Sequence, residues 1–374
     1  MTQAKTVAVL GAGSTGRAMA GFLALSGYRV RLWNRQGGDE TDELVSGLAA
    51  TPELTVSGRL EGTAVLDDVT TDIGAAVTDA DVVVVCTTAN GHHDVGRLVA
   101  GYSAADQAVL LMPAGTLGSL EFVRGLVAGG CIATPLIAET STTLFGSALD
   151  GATGVRISGQ KAQVGVASLP SGRTDEIRRL IPEIPFVDVP DVLQSGFENV
   201  GASLHVTPMV LNAGWIETHG GTFKYYREAI TPAVANVAAQ VEEERMRIAS
   251  AFGYRPTPLS TYLTQSVGAP EGTLYESLHG CEMYADAISP SRLDHRFLWE
   301  DALAGVVPLL SLAEVAGVPA PTMQALATLA GPLLGRDMLG EGRNVDNLGL
   351  AGMTVEGLRT LVSDVDAFDA WRRG

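Results

Sequence analysis

Short apolar runs alternate with segments of helical composition along the first half of the chain. Residues 6–10 form a β-branched apolar run that stops at Gly11, and residues 17–25 have the composition of a helix that ends before Gly27. Four further apolar runs follow, at residues 29–33, 81–86, 108–112 and 131–137. Continuous apolar runs are typical of strands buried on both faces of a parallel sheet. The pattern therefore predicts an α/β doubly wound parallel sheet of the Rossmann type.

Strand-like runs give way to long segments of helical composition after about residue 195. Thr231 and Pro232 fit the N-cap and the first position of a helix, and Gly253 fits the position just past its end. The second half of the chain is therefore predicted to be helical.

Two more helices are predicted at residues 196–217 and 293–312, and each carries one proline. Pro208 and Pro308 lack the N–H that a helix interior needs, so each is expected to kink its helix or to interrupt a backbone hydrogen bond. With a boundary near Pro190, two domains are expected: a Rossmann-type α/β domain at 1–190 and an all-α C-terminal domain at 191–374.

The composition excludes some classes of partner. Of 374 residues, 25 are Lys or Arg and 42 are Asp or Glu, so the formal net charge is −17, while 46% of the residues are apolar. Recognition of a phosphate backbone draws on a basic face. No nucleic-acid partner is therefore expected, and an acidic membrane surface would repel the chain. No apolar stretch reaches the roughly 20 residues that a membrane span needs.

Three widely spaced cysteines, Cys86, Cys131 and Cys281, offer neither a disulfide framework nor a CxxC metal pattern. The N-terminus lacks the apolar segment and cleavage site of a signal peptide. Neither HExxH nor GxSxG occurs in the sequence, so neither a zinc site nor a serine nucleophile is predicted. These features favour a reducing compartment, the cytoplasm, and a site without a metal.

A glycine-rich turn follows the first predicted strand and opens the first predicted helix. Gly11, Gly13 and Gly16 stand in GxGxxG spacing, with Ser14 and Thr15 at the start of the helix. This spacing permits a tight turn, close approach of backbone amides to a pyrophosphate, and close packing of helix on strand. The turn is therefore predicted to bind a dinucleotide; the alternative is a glycine-rich turn without a ligand. Thr87, after the apolar run 81–86, is also expected to contact the cofactor.

The end of the second predicted strand bears on the choice of cofactor. An NAD-specific site usually presents a carboxylate there to the ribose 2′-hydroxyl, but this chain has Asn34 and Arg35. Arg35 can pair with a 2′-phosphate and Asn34 can hydrogen-bond it. We therefore expect NADP(H) to be preferred, with NAD(H) also used. The alternative is that Arg35 is a solvated surface residue and that Asp39 or Glu40 reaches the ribose.

A histidine stands between two asparagines in the otherwise apolar segment 196–217. His205 follows Asn199 by six residues and precedes Asn212 by seven, which is about two turns of an ideal helix. An imidazole buried there without a partner would cost free energy. From the residues alone, His205 is either a satisfied core histidine or a group with a chemical role.

A charged cluster opens the other proline-containing segment. Arg292, Arg296, Glu300 and Asp301 precede a run of apolar residues. Arg296 and Glu300 are spaced for an i,i+4 ion pair on a solvated face. The alternative is functional: a carboxylate from this cluster orients His205, and an arginine holds a substrate carboxylate in a bidentate fork.

The chain resembles the opine dehydrogenase family in several segments taken together. They are GAGSTG, ADVVVVCTTANGHH and AETSTTLF in the first half, and N-x5-H-x6-N, YYREAITPAVANVA, HRFLWED and EGRNVDNLGLAGMTVEGLR in the second. The resemblance extends across essentially the full chain. The combination is specific, whereas GxGxxG alone is not.

This resemblance implies a reductive condensation. A 2-oxo acid such as pyruvate and the amino group of an amino acid or amine form an imine, which NAD(P)H reduces to an opine-type secondary amine; the reverse is oxidative cleavage. Carried over by motif, His205 is the general acid/base, Asp301 the carboxylate that fixes its tautomer and supports its charge, and Arg296 the clamp for a substrate carboxylate. Asn199 and Asn212 line the substrate site.

The sequence departs from the family pattern at three places. Val206 follows His205 where family members often have proline, and Gly201 stands where a second asparagine is usual. Both differences are expected to reshape the amine pocket. The pair Asn34 and Arg35 replaces the acidic residue of NAD-using relatives, which again favours NADP(H).

Two other functions are weighed against this one. A ketopantoate-reductase-like or 3-hydroxyacid-type dehydrogenase reduces a ketone without an amine and typically depends on a lysine in its helical half, where this chain has only Lys224. A non-catalytic NADP-sensing protein has no use for a histidine paired with a carboxylate. The apolar segment 322–334 fits either a homodimer interface or ordinary core.

Overall fold

The chain divides into two compact units, each built around its own core. The computed structural model describes residues 4–37, 46–48 and 51–374. The first unit comprises Met1–Ala114, Gly118–Val192 and Ser363–Gly374, and the second comprises Gly115–Leu117 and Leu193–Val362.

The first unit contains two β-sheets. Within the described residues its strands are β1 (Thr6–Leu10), β2 (Arg29–Trp33), β3 (Glu53–Gly58), β4 (Gly62–Val65), β5 (Asp68–Thr70), β6 (Val82–Val85), β7 (Ala108–Leu111), β8 (Leu136–Thr140), β9 (Phe145–Leu149), β10 (Gly154–Gln160), β11 (Val164–Leu169) and β12 (Phe186–Asp188). The larger sheet has the order β12-β11-β8-β7-β6-β1-β2-β5, and the smaller has the order β4-β3-β10-β9. From β5 to β8 all neighbouring strands of the larger sheet are parallel, and β11 then pairs antiparallel with β8.

The larger sheet confirms the predicted doubly wound architecture. β2 pairs with one edge of β1, and β6 pairs with the other edge, where Val9 is opposite Val84. The order of the strands therefore reverses between β1 and β6, and ligands of open α/β sheets bind beyond the carboxyl ends of strands at such a point. Gly11 follows β1 there, and Thr87 follows β6 by two residues.

The helices of the first unit cover the sheet. Among the described residues before position 190 they are α1 (Ser14–Leu25), α2 (Ile73–Val77), α3 (His92–Val99), α4 (Gly118–Ala128) and α5 (Thr174–Leu180). The smaller sheet, which the sequence analysis does not predict, packs on α1: a Cβ at Gly21 would lie 2.5 Å from Cγ2 of Val56 on β3. Gly21 thus lets α1 and the smaller sheet approach closely.

The second unit is helical, and three of its segments are π turns. Its α-helices are α6 (Val192–Phe197, whose first residue belongs to the first unit), α7 (Thr207–Leu211), α8 (Ala213–His219), α9 (Pro232–Ala251), α10 (Leu259–Val267), α11 (Leu274–Gly280), α12 (Arg296–Asp301), α13 (Val307–Ala316), α14 (Pro321–Leu334), α15 (Met338–Glu341) and α16 (Val355–Ser363). The first, second and third π turns are Ala202–Val206, Tyr225–Ala229 and Ala302–Val306.

The best-predicted helix is α9. Its N-cap Thr231 accepts a hydrogen bond from the Val234 N–H on its side-chain oxygen, Pro232 is the first helical residue, and Gly253 has a φ of +82° just past the end. The segments 196–217 and 293–312 are not continuous helices, because each is interrupted by a π turn directly before the α segment that carries its proline.

The last residues of the chain pack with the first unit, whereas the sequence analysis places them in the second domain. They form α17 (Val365–Arg373). Arg124 lies over the ring of Trp371 at 5.9 Å, and Arg372 donates a hydrogen bond to the Ala133 carbonyl at 2.9 Å. These contacts join residues more than 200 positions apart, which no local pattern reveals.

Candidate active site

The glycine-rich turn in the first unit has the steric properties of a dinucleotide loop. Gly11 has a φ of +105°, and a Cβ at Gly16 would lie 1.7 Å from the Gly11 carbonyl oxygen. Both positions therefore require glycine. Gly13 is the N-cap of α1, no side chain caps this helix, and no atom lies within 4 Å of a Cβ built there. The open face above Gly13 and the first-turn amides of Ser14 and Thr15 fit a pyrophosphate.

Two side chains hold the turn by its second residue, Ala12. The Ala12 N–H donates to Oδ1 of Asn34 at 3.1 Å, and Nε of Arg17 donates to the Ala12 carbonyl at 2.9 Å. The buried Arg17 also donates through Nη1 to the carbonyls of Gly151 and Ala152 in the hairpin before β10. Asn34 therefore supports the main chain of the turn.

Arg35 is exposed and has an anionic neighbour. Its Nη2 lies 3.7 Å from Oδ2 of Asp94 on α3, and 61% of the Arg35 side chain is accessible. A phosphate that approaches Arg35 must therefore compete with this carboxylate, which is itself exposed. Asp39 and Glu40, the alternative ribose contacts, lie outside the described residues.

Thr87 lies beside the glycine-rich turn. A Cβ at Gly11 would be 3.1 Å from the Thr87 backbone nitrogen, so the turn contacts the end of the β6 strand directly. Its Oγ1 is buried and has no hydrogen-bond partner among the residues that the structure describes. The neighbouring Cys86 is a core residue, and burial raises the pKa of its thiol to about 12.

In the second unit, His205 and Asp301 form an ion pair. Nδ1 of His205 lies 2.8 Å from Oδ2 of Asp301, and the two side chains are 24% and 18% exposed. The other ring nitrogen, Nε2, lies 3.1 Å from the hydroxyl of Tyr226. The imidazole stacks on the ring of Phe297, with centroids 4.0 Å apart and planes 4° from parallel. Since Asp301 engages Nδ1, Nε2 is the nitrogen that can exchange a proton with a reacting group.

The two prolines explain the local backbone at this pair. Pro208 and Pro308 are each the second residue of an α segment that follows a π turn. The wider π turn therefore comes directly before the proline, which has no N–H to donate to an α-helical bond. In the first π turn the Thr207 N–H bonds the Ala202 carbonyl five residues back, and in the third the Val307 N–H bonds the Ala302 carbonyl. His205 lies within the first π turn, and Asp301 immediately precedes the third.

Gly201 leaves room for the carboxylate. A Cβ at this position would lie 1.9 Å from Oδ1 of Asp301 and 3.1 Å from Oδ1 of Asn199. The Gly201 N–H donates to that same Asn199 oxygen at 2.9 Å. Asp301 therefore occupies the space that a side chain at position 201 would need. The side chain of Asn199 accepts its hydrogen bond from the main chain at Gly201.

Asn212 also bonds the main chain. Its Nδ2 donates to the carbonyls of Pro208 and Ala229, at 2.9 and 3.0 Å. It thereby ties the start of α7 to the end of the second π turn, which carries Tyr226.

Arg296 forms the i,i+4 ion pair that its spacing suggests. Its Nε lies 2.9 Å from Oε2 of Glu300, and the Arg296 side chain is 47% exposed whereas that of Glu300 is 8% exposed. The pair fixes one edge of the guanidinium and leaves the group half accessible.

Cationic groups and carboxylates lie together around His295. Burial lowers the pKa of His295, and the charges of Arg296, His205 and Arg292 lower it further, against an opposing effect of Asp301. Arg296 and His205 each lie against a carboxylate, that of Glu300 and that of Asp301.

Sequence reasoning did not assign Tyr226, Tyr225 or Phe297 to the site. The hydroxyl of Tyr225 donates to the main-chain carbonyl of His205 at 2.9 Å, while Tyr226 faces the imidazole. The signals in the sequence are the segments YYREA and HRFLWED, which carry the family resemblance without indicating a role for these three residues.

Lys224 pairs with the exposed Asp286 at 2.7 Å. Cys86, Cys131 and Cys281 are free thiols. In the ranges that the structure describes, no three His, Cys, Asp or Glu side chains are placed to hold a metal ion, and no helix has the length and apolar character to cross a membrane.

Two family models match the chain in succession. Residues 6–119 match the N-terminus of NAD-dependent glycerol-3-phosphate dehydrogenase, and residues 188–334 match the alpha-helical domain of NAD/NADP octopine/nopaline dehydrogenase. Among curated proteins, the chain is 35% identical over 368 residues to an opine dehydrogenase of Arthrobacter sp. (strain 1C), covering 97% of this chain and 100% of that one. It is 27% identical to the vitopine synthase of Allorhizobium ampelinum, covering 92% of this chain and 96% of the relative.

Solved structures share the fold. Octopine dehydrogenase in complex with NADH and L-arginine superposes with a TM-score of 0.75 at 19% identity, over 95% of this chain and 98% of that chain. Yersinopine dehydrogenase with NADP⁺ bound gives 0.72 at 16% identity, over 100% and 99% of the two chains. These similarities define the architecture on which the site is built.

Proposed function

The chain belongs to the opine dehydrogenase family of NAD(P)-dependent oxidoreductases, and on this premise we propose that it condenses a 2-oxo acid such as pyruvate with the amino group of an amino acid or amine and reduces the product to a secondary amine. The observation that carries the proposal is the ion pair of His205 and Asp301 in the same unit as Arg296. When bound, the dinucleotide supplies the hydride. The reverse reaction oxidises the secondary amine.

His205 acts as the general acid and base. Addition of the amine to the oxo group leaves a hydroxyl that departs as water, and its departure requires a proton. With Nδ1–H donated to Asp301, the protonated ring delivers this proton from Nε2. The Asp301 carboxylate keeps the ring in this orientation and stabilises its positive charge. In the oxidative direction, neutral Nε2 takes the proton back.

Arg296 binds the carboxylate of the 2-oxo acid. Its Nε lies 2.9 Å from the nearly buried carboxylate of Glu300, and the half-exposed remainder of the guanidinium offers a fork of N–H donors. Asn199 and Asn212 line the substrate site. Their carboxamides also hydrogen-bond the main chain at Gly201 and Ala229 and thereby hold the surrounding backbone in place.

NADP(H) is the preferred cofactor in this proposal, with NAD(H) also accepted. Gly11, Gly13, Ser14, Thr15 and Gly16 hold the pyrophosphate, and Thr87 and Asn34 complete the site. Arg35 is the cation for the 2′-phosphate, and its exposure together with the long 3.7 Å distance to Asp94 supports exchange of one anion for another.

Oxidation of NADPH and of NADH, followed at 340 nm, tests the proposal. Pyruvate, 2-oxoglutarate and glyoxylate are each combined with apolar, basic and acidic amino acids. We expect oxidation only when both an oxo acid and an amine are present, and faster oxidation of NADPH. Oxidation with the oxo acid alone would instead place the protein among ketone reductases, and no oxidation in any combination would contradict the proposed reaction.

A further inference from the structure

The proposed function leaves one contact of the acid/base without a role. Nδ1 of His205 is engaged by Asp301, so Nε2 must exchange the proton. Nε2 does not face open space, because the hydroxyl of Tyr226 lies 3.1 Å from it. A proton that leaves Nε2 along this direction reaches the oxygen of Tyr226 first.

The imidazole is held so that it cannot turn away from Tyr226. Asp301 fixes one edge at 2.8 Å, and Phe297 covers one face with its ring centroid 4.0 Å away. The main chain is fixed as well, because the Tyr225 hydroxyl donates to the His205 carbonyl at 2.9 Å. Rotation of the ring would break the ion pair and the stacking together.

The ring of Tyr226 is equally confined. It stacks on Tyr284 with centroids 4.4 Å apart and planes 22° from parallel, and Tyr225 meets it edge-on at 5.1 Å. Only 6% of the residue is accessible. The hydroxyl hydrogen can rotate about the C–O bond, but the ring cannot leave without opening this aromatic cluster.

We propose that Tyr226 relays the proton between His205 and the substrate oxygen in the reaction proposed above, on which this inference rests. In the condensing direction, the Tyr226 O–H bond breaks as its proton passes to the departing hydroxyl oxygen, which leaves as water. The Nε2–H bond of the imidazolium breaks at the same time, and its proton restores the Tyr226 hydroxyl. His205 ends neutral, Tyr226 is unchanged, and the reverse reaction runs the same transfers backwards.

The electrostatics of the cluster support a relay that never holds a charge. Burial raises the pKa of Tyr226, and the neighbouring Tyr262 and Asp301 raise it further. A phenolate is therefore costly, so the hydroxyl passes a proton only while it receives another. The charge of Arg296 lowers the pKa of the same hydroxyl.

Matched tyrosine substitutions separate this role from packing. Tyr226→Phe keeps the ring in the cluster and removes the oxygen that faces Nε2. Tyr225→Phe removes a neighbouring buried hydroxyl that bonds the His205 main chain and does not touch the imidazole. We expect Y226F to lower kcat about 10²-fold, the scale of a lost general acid, with KM values for oxo acid and amine within about threefold of wild type. We expect Y225F to lower kcat by less than about tenfold.

The number of protons that move in the rate-determining step can be measured, and a purely structural role of Tyr226 would not change it. In mixtures of H₂O and D₂O, a relay through Tyr226 predicts that kcat of the wild-type enzyme depends on the deuterium fraction along a curve, because two protons move together. Y225F should keep the curve, and Y226F should give a straight line. This measurement on the wild-type enzyme also stands if Y226F does not fold.

Each outcome decides between the two proposals. An active wild-type enzyme with a linear or absent dependence on deuterium would overturn the relay and leave the proposed function intact. A Y226F enzyme that matches Y225F in kcat would do the same. No NAD(P)H oxidation by the wild-type enzyme with any oxo acid and amine would overturn both.

Discussion

Replacing Gly201 with alanine tests whether the carboxylate of Asp301 must stay where it lies. Gly201 has φ −59° and ψ −34°, a helical conformation that alanine adopts freely, so the backbone is not strained by the change. The added methyl would lie 1.9 Å from Oδ1 of Asp301, and contacts under 3.0 Å essentially never occur. The carboxylate must therefore move by about 1 Å, and a displacement of this size from a productive geometry can cost about 10²-fold in rate.

The contact with the imidazole gives a separate lower figure. While His205 is protonated, at an effective dielectric constant of about 20 the two charges attract by about 6 kcal/mol at the observed 2.8 Å and by about 4 kcal/mol at about 3.9 Å. The difference of about 2 kcal/mol, which already contains the charged hydrogen bond, corresponds to about 30-fold in kcat/KM, since about 1.4 kcal/mol is tenfold.

Gly214→Ala is the matched control for G201A. Gly214 lies in α8, and no atom is within 4 Å of a Cβ built there. This variant should keep its activity within about twofold and gain about 0.4–1 kcal/mol of stability. The assay is kcat/KM for the oxo acid from NADPH oxidation, with NADPH affinity measured by fluorescence titration. If G201A is as active as G214A, the carboxylate position does not matter and the reasoning is refuted.

Three further predictions concern single side chains. His205→Asn should lower kcat by about 10²- to 10⁴-fold and leave the NADPH dissociation constant unchanged in a fluorescence titration; unchanged turnover would contradict the assigned role. Arg35→Ala should raise KM for NADPH about tenfold or more, the scale of a lost charged hydrogen bond, and spare NADH, while Asp94→Asn should lower KM for NADPH; equal effects on both cofactors would contradict this. The pKa of His295 is lowered in the folded state, so protonation favours unfolding: stability is fully present above the unfolded pKa of about 6.5 and is lost as pH falls through the folded pKa. His295→Asn, which keeps a capping side chain before α12, should reduce the difference in urea stability between about pH 7.5 and about pH 5, and an undiminished difference would argue against His295 as its source.

The sequence predicts the structure best where a structural requirement depends on neighbouring residues alone. The bounds of β1 and β2 coincide with the runs at 6–10 and 29–33. All five residues of β1 are buried, which imposes continuous hydrophobicity, whereas in β2 only Val30, Leu32 and Trp33 are buried. Gly11 and Gly16 are readable because only glycine tolerates their surroundings. The smaller sheet is not readable, since β3, β4 and β9 are only partly buried and carry no continuous apolar run.

Within the site, the sequence predicts the residue types but not the contacts. The spacing of His205 and Asn212 predicts a shared face of a regular helix, but His205 lies in a π turn, where the spacing of 3.6 residues does not hold. Tyr226 and Phe297 contact the imidazole from segments 21 and 92 positions away in sequence, and aromatic residues at those places have the pattern of ordinary core. The spacing of Arg296 is compatible with two roles, and so is its ion pair with Glu300.

The π turns before Pro208 and Pro308 make the site sensitive to chain length. A π turn holds about one residue more than an α-helical turn, so deletion of one residue from Ala202–Val206 would restore regular helical bonding. Within the turn, each side chain would take a new direction, by up to about 100°, the angle of one residue in an α-helix. We therefore expect this deletion to separate His205 from Asp301 and to lower activity, although every other residue of the site remains.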